Sequence, residues 1–257
     1  MANISNQYKH QISLLLRILP EVAKEKSFAL HGGTAINLFI RDMPRLSVDI
    51  DLTYVPIEDR PISLANIAEA LKRIKADIEK VVQGVSVIHR EDIAKLQIST
   101  HDANIKLEVN LVGRGTISEP VEMYLCNKAQ DEYDAFCAIQ VVPIGQLYGG
   151  KICAALDRQH PRDLFDVKYL LENEGFSEQV KKGFFLSLLG SPRPTHEILN
   201  PNFQDQSDAL KNQFNGMTEE AFEYEEYEAV RIQLIKTIHQ SLTPNDKTRG
   251  SMLSLKI

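Results

Sequence analysis

Apolar positions in this chain follow two regimes: short alternating runs mixed with helical spacing up to about residue 143, and helical spacing alone beyond it. Ile12, Leu15, Leu16 and Leu19 recur at the interval of an amphipathic helix that should run to Pro20. Phe28-Ala29-Leu30 reads as a short strand, residues 31–34 (His-Gly-Gly-Thr) as a turn, and residues 35–41 as a helix starting at that turn. Strict alternation over residues 46–54 predicts a strand with Val48, Ile50, Leu52 and Tyr54 on one face and Ser47, Asp49, Asp51 and Thr53 on the other. A long helix follows through Ile67, Leu71, Ile74 and Ile78. Further strands are predicted at residues 85–88, 96–99, 105–111 and 138–142, the middle two forming a hairpin. Helical patterns then dominate from Ile144, with a break near residues 190–201. The pattern predicts an α+β protein with a mixed-sheet lobe over residues 1–143 and a mainly helical lobe over residues 144–257.

The strand carrying Asp49 and Asp51 holds the first candidate chemistry. Side chains two apart on one strand face start roughly 6–7 Å from each other, close enough to converge on a hard cation. Mg²⁺ is commonly held by one or two carboxylates together with substrate phosphates. A solvated edge strand shows the same alternation, so the dyad acquires meaning from what precedes it. A strand, the Gly32-Gly33 pair and a helix start form an arrangement suited to phosphate, because glycine lets the backbone approach and the first helical N–H groups lack internal partners. Alternation in Ile105-Lys106-Leu107-Glu108-Val109 makes Glu108 the candidate for a third carboxylate.

A second block spans residues 149–169. Lys151 and Arg158 share one side of a helix whose apolar face includes Ile152, Ala155 and Leu156. Pro161 should end that helix and open the next, on which Asp163 and Asp166 are neighbours and Leu164, Val167 and Leu171 form the buried stripe. Alone, such spacing is equally that of a surface salt-bridge ladder.

In order, Gly-Gly-Thr-Ala, Arg45-x-Ser47-x-Asp49-Ile50-Asp51-Leu52 and Lys151-x-x-Ala154-x-x-x-Arg158-x-x-x-Arg162-Asp163-x-x-Asp166 resemble the AbiEii/AbiGii toxin family, to which MenT-type toxins are related. Residues 191–194, 199–201 and 241–244 resemble its C-terminal landmarks. The resemblance implies a nucleotidyltransferase-like N-terminal lobe and a metal-dependent transfer of NMP from an NTP to an acceptor hydroxyl, with the tRNA 3′ end as the expected acceptor. It also implies a toxin–antitoxin or abortive-infection setting with a cognate antitoxin. By residue, it assigns Gly32, Gly33 and Thr34 to the nucleotide phosphates and Asp49 and Asp51 to Mg²⁺ or Mn²⁺. Lys151 is assigned to the triphosphate, Arg45, Arg158 and Arg162 to further phosphate or acceptor oxygens, and Asp163 or Asp166 to completion of the site from the helical lobe. The catalytic site is expected where the first lobe's sheet faces the helices of the second. Residues after Leu253 end sooner than the family pattern suggests.

Composition adds boundaries. With 43% hydrophobic residues the 257-residue chain can bury a sizeable core. Cys126, Cys137 and Cys153 are odd in number and lack metal spacing, which points to a reducing cytoplasm. No apolar run approaches membrane-spanning length, and the polar start lacks signal-peptide character. A net charge of −6 leaves nucleic-acid binding to local basic patches, for which Arg41 with Arg45, Lys72 with Arg73 and Lys75, and Lys181-Lys182 are candidates. Glutamates between residues 219 and 228 should form an exposed helical face or a docking surface for a basic partner such as the antitoxin. His31 could touch a phosphate or be satisfied within its turn.

Overall fold

A computed structural model of the chain describes residues 5–243, which divide into two compact units. One comprises the residues up to Pro143 together with Gly216–Glu220; the other comprises Ile144–Asn215 together with the residues from Ala221 onward. The expected features at Pro244 and after Leu253 lie outside the described residues.

The first unit is built on a seven-stranded mixed sheet of β1 (Phe28–His31), β2 (Asp49–Tyr54), β3 (Ser86–Arg90), β4 (Lys95–Ser99), β5 (Asn104–Asn110), β6 (Val121–Tyr124) and β7 (Ala138–Val141). The spatial order is β3-β4-β5-β2-β1-β7-β6. Strand β2 is central, antiparallel to β1 and parallel to β5. Its apolar residues Ile50, Leu52 and Tyr54 are buried, as are Ile105, Leu107 and Val109 on β5. The helices α1 (Asn6–Val22) and α3 (Arg60–Val81) pack on this sheet and bury the residues that helical spacing selects: Ile12, Leu15, Leu16 and Leu19 on α1, and Ile67, Leu71, Ile74 and Ile78 on α3. A short helix α4 (Asn127–Tyr133) precedes β7.

Three local features differ from the sequence expectation. Helix α2 begins at Gly32 (Gly32–Ala35) and continues as a π-helical turn, Ile36–Ile40, closed by the Arg41 N–H on Ile36 O at 2.8 Å. Gly32 at φ +73° makes this direct strand-to-helix passage, a conformation glycine adopts without a Cβ penalty. Residues 46–48 are not strand: Leu46, Ser47 and Val48 are all buried, and the Leu46 N–H donates to Met217 O at 2.7 Å while Thr218 Oγ1 donates to Pro44 O at 2.9 Å. The 216–220 segment thus takes up hydrogen bonds that a sheet neighbour would otherwise make. Strand β6 was not expected, because it is an edge strand with Val121 and Tyr124 more than half exposed and so carries no alternation.

The second unit contains α5 (Ile144–Asp157), α6 (Pro161–Asn173), α7 (Glu178–Leu189), α8 (Thr195–Leu199), α9 (Ser207–Ala209, continuing as a π-helical turn Leu210–Phe214) and α10 (Tyr224–Ser241). Its buried aromatic cluster joins Phe165 to Phe214 and Phe222 at centroid distances of 5.2 and 5.3 Å. Helix α6 buries Leu164, Val167 and Leu170, with Leu171 only half-buried. Contact with both α5 and α10 rotates its apolar face away from the expected Leu171 stripe. Helices α5 and α7 meet backbone to backbone: a Cβ on Gly149 would overlap Gly183 C and Phe184 N, and one on Gly183 would overlap Gly145 O.

Gly149→Val is therefore expected to lower the unfolding free energy by about 3 kcal/mol or more, the upper end of overpacking costs, in chemical denaturation. Gly190→Ala, where an added Cβ meets nothing nearer than 3.8 Å, is expected to stay within about 0.5 kcal/mol.

Candidate active site

Strand register places the acidic residues of the first unit in a row. Asp51 is opposite His31 on β1 and opposite Glu108 on β5, and Glu108 is in turn opposite Lys95 on β4. Asp49, one step along, is opposite Lys106, and Lys106 is opposite Gln97. Cross-strand partners share a face, so these residues form the polar side of the sheet, with Asp49 and Asp51 half-buried. His31 Nδ1 lies 3.2 Å from Thr53 Oγ1, on the same face. Lys95 Nζ approaches Glu108 Oε1 to 2.5 Å, so the charge of Glu108 is already met.

The glycine turn is pressed against the aspartate strand. A Cβ on Gly32 would overlap Asp51 Oδ2 and fall 3.0 Å from Asp51 Cγ. On Gly33 it would fall 2.8 Å from both Arg45 Nη2 and Ser47 Oγ. Thr34, fully buried, donates its hydroxyl to Asp49 O at 2.5 Å and to Ser47 Oγ at 3.1 Å. Its side chain is thus turned onto the start of β2, and it fixes where the dyad begins. Arg45 is 3% exposed and donates Nη1 to Leu46 O at 2.9 Å. It lies beneath the turn rather than forming a surface patch with Arg41.

Mg²⁺ or Mn²⁺ prefers oxygen ligands and retains positions for phosphate and water. Two half-buried carboxylates on one face, one of them against a side-chain-free backbone, fit that requirement. Among the described residues no three His, Cys, Asp or Glu side chains form a metal-ligand cluster.

In the second unit the structure brings Lys151, Arg158, Asp163 and Asp166 together. Lys151 Nζ lies 3.0 Å from Asp163 Oδ1 and 3.0 Å from Asp166 Oδ2, with both acids 1% exposed. Arg158 grips Asp163 in a fork, Nε to Oδ2 at 2.5 Å and Nη2 to Oδ1 at 3.0 Å. Burial pushes the Asp163 carboxyl up, but the Lys151 charge and the Arg158 fork outweigh it and hold the group well below the usual carboxylate range. Two acids and two bases make a charge-balanced cluster, the condition under which buried charge is tolerated. Arg162 is half-buried in the first turn of α6.

The α5–α6 joint that aligns these charges was not visible in the sequence. Gln159 adopts φ +51° and is 1% exposed. Its Oε1 accepts from Gln204 N–H and Arg231 Nη1, and its carbonyl accepts from the Tyr227 hydroxyl at 2.7 Å. His160 caps α6: Nδ1 accepts from the Arg162 N–H at 3.1 Å and Nε2 lies 3.1 Å from Gln213 Oε1. Both contacts are satisfied by a neutral ring carrying its proton on Nε2.

Most of the other basic candidates are engaged. Lys72 pairs with Glu69 at 3.0 Å, Arg73 with Glu25 at 2.6 Å and Lys75 with Glu79 at 3.8 Å. Lys181 is buried and donates to Ser241 O at 2.9 Å, which corrects its reading as a surface charge; Lys182 is exposed. Within the acidic run, Glu219 pairs with Lys128 and Glu226 with Lys168. All three cysteines are free, and burial pushes their thiols up to about 11, which keeps them protonated. No described helix is long and apolar enough to cross a membrane.

A seven-stranded mixed sheet with a Gly-Gly turn on an Asp-x-Asp strand is an arrangement suited to nucleotidyl transfer, and the family match gives the class. The profile of the nucleotidyl transferase AbiEii toxin family, type IV toxin–antitoxin system, matches residues 13–239, and the chain belongs to that family. Membership makes it a nucleotidyltransferase toxin, with an NTP substrate and an antitoxin partner. Among solved structures it is similar to MenT4, a nucleotidyltransferase toxin from Mycobacterium tuberculosis H37Rv, with a TM-score of 0.71 and 12% identity over 95% of this chain and 87% of that one. That likeness is one of fold. No curated protein matches the chain.

The cap and the ion cluster give stability a defined pH dependence. Burial, the main cause, depresses His160 below its ordinary 6.5, so the unfolded chain takes up the proton first. Its contribution is present above about pH 6.5 and is lost as pH falls. Asp163, depressed below 3.8, contributes above that pH and loses its contribution only as pH falls further. His160→Asn, which retains capping ability without titrating, is expected to flatten the fall in thermal midpoint between pH 7 and pH 5.5 and to leave the steep loss below pH 4.

Proposed function

We propose that the polar face of β2 is the site at which this toxin transfers NMP from an NTP to the 3′-terminal hydroxyl of a tRNA, with Mg²⁺ or Mn²⁺ held by Asp49 and Asp51. The observation that carries the reading is the contact of Asp51 Oδ2 with Gly32. It brings a dyad carboxylate to the backbone turn suited to phosphate, with no side chain between. A metal bound by the dyad would offset phosphate charge and make an acceptor hydroxyl easier to deprotonate. Gly32 and Gly33 let Asp51, Arg45 and Ser47 close on the turn that would receive the triphosphate, and Thr34 keeps Asp49 at the start of β2. Chemically, the acceptor oxygen forms a bond to the α-phosphorus, the bond from that phosphorus to the bridging β oxygen breaks, pyrophosphate leaves with the electron pair, and the hydroxyl proton passes to solvent.

Glu108 stands outside the metal set in this reading, because Lys95 already meets its charge. The tRNA acceptor is taken from the resemblance to the family, as is the assignment of Lys151, Asp163, Asp166, Arg158 and Arg162 to the same reaction.

Incubation of the purified protein with Mg²⁺, each labelled NTP and total RNA should place label in a tRNA-sized band with release of pyrophosphate. Label in protein instead, or no transfer with any NTP, would sink the acceptor assignment. Asp49→Asn and Asp51→Asn are each expected to cut transfer by more than about a hundredfold, beyond the loss typical of an outer-shell partner. Gly32→Ala should do likewise, since the methyl both meets Asp51 and strains a φ of +73°.

A further inference from the structure

Strand order sets a direction across the dyad. Strand β2 lies between β1, which leads into the glycine turn, and β5, which carries Lys106 directly opposite Asp49. Adjacent strands are about 4.8 Å apart, so Lys106 stands one strand from the dyad on the side away from the turn. Its face is unambiguous: Ile105 and Leu107 on either side are buried at 1% and 0%, and Lys106 is exposed.

Charge on this face is distributed unevenly. Lys95 is engaged by Glu108, whereas Lys106 has no carboxylate within ion-pair distance among the described residues, Asp49 included. Row partner Gln97 extends the polar surface onto β4. Lys106 is thus an ammonium beside the dyad whose charge no carboxylate on this face meets, placed to receive an anion.

Displacement at a phosphorus is in line, with attacking and leaving oxygens on opposite sides. If the triphosphate sits at the Gly32-Gly33 turn, pyrophosphate leaves toward β1 and the acceptor must enter from β5. We infer that Lys106 contacts a backbone phosphate of the acceptor's single-stranded RNA end, with the β4–β5 hairpin as the surface on which that end lies. This rests on the proposed site at β2 and deepens it by separating an acceptor side from a nucleotide side. A lysine suits a backbone phosphate because it meets the oxygens as a compact charge without demanding a base.

The test uses the full chain and a short single-stranded RNA ending in a 3′-hydroxyl. RNA affinity is measured by fluorescence anisotropy over a range of salt concentrations, and NTP·Mg²⁺ affinity separately. Lys106→Ala should weaken RNA binding several-fold and reduce the slope of log affinity against log salt by about 0.7, the loss of one single-strand phosphate contact. NTP affinity should be unchanged, and Lys106→Arg should restore RNA binding. Lys80→Ala on α3, which removes one exposed charge elsewhere, should move neither quantity. RNA binding indifferent to Lys106, or NTP affinity that falls in step with it, overturns the inference. Transfer by the unsubstituted protein tells the two readings apart. Transfer to RNA with no Lys106 effect leaves the site standing and this inference fallen; Lys106-dependent RNA binding without transfer does the reverse. Label appearing in protein, with no RNA bound, removes the RNA acceptor altogether.

Discussion

The closeness of residues 32–34 to β2 is the constraint on which the first unit depends. Three consecutive residues are each committed to that strand or its approach: Gly32 gives space to the Asp51 carboxylate, Gly33 to Arg45 and Ser47, and Thr34 bonds the Asp49 carbonyl. A side chain at either glycine would move a charged group, because what stands opposite is carboxylate or guanidinium rather than yielding hydrocarbon. The positive φ at Gly32 lets β1 pass into α2 without an intervening loop, so the two aspartates and the turn are held by secondary structure on both sides.

The two units treat charge in contrasting ways. In the helical unit, Lys151 and Arg158 balance Asp163 and Asp166, and the cluster is almost entirely buried apart from the Arg158 side chain, which is 61% exposed. On the sheet face, Asp49, Asp51 and Glu108 outnumber Lys95 and Lys106, and the residues stay half-buried or exposed. A balanced cluster fixes geometry; an acidic face that retains access to water is suited to cations and their ligands.

Much of this was legible from periodicity. Alternation at residues 49–54 and 105–109 gave the faces correctly, since a sheet with one buried side imposes its period on the sequence. The spacing of Lys151, Arg158, Asp163 and Asp166 brought forward residues that do meet. What escaped was set by tertiary contact. Strand β6 buries too little to alternate. Residues 46–48 look like strand but are held by the segment at 216–218. Of the Lys72, Arg73 and Lys75 cations, Lys72 and Lys75 have helical partners legible at i,i+3 and i,i+4 spacing, whereas the Arg73 partner Glu25 is a neighbour only in the fold, across 48 residues. Leu170 displaced Leu171 because two helices, not one, cover α6.

The hydrogen bonds from Leu46 to Met217 and from Thr218 to Pro44 carry a consequence for synthesis. The first unit is not encoded continuously: its approach to the dyad strand is fastened by residues made some 170 positions later. Residues 44–46 have no such partner until residues 217 and 218 have been made. An interrupted message ending before Gly216 yields a chain with every residue of the dyad face and no latch for it. The support of the dyad strand thus depends on two stretches of sequence that must both be present in one chain.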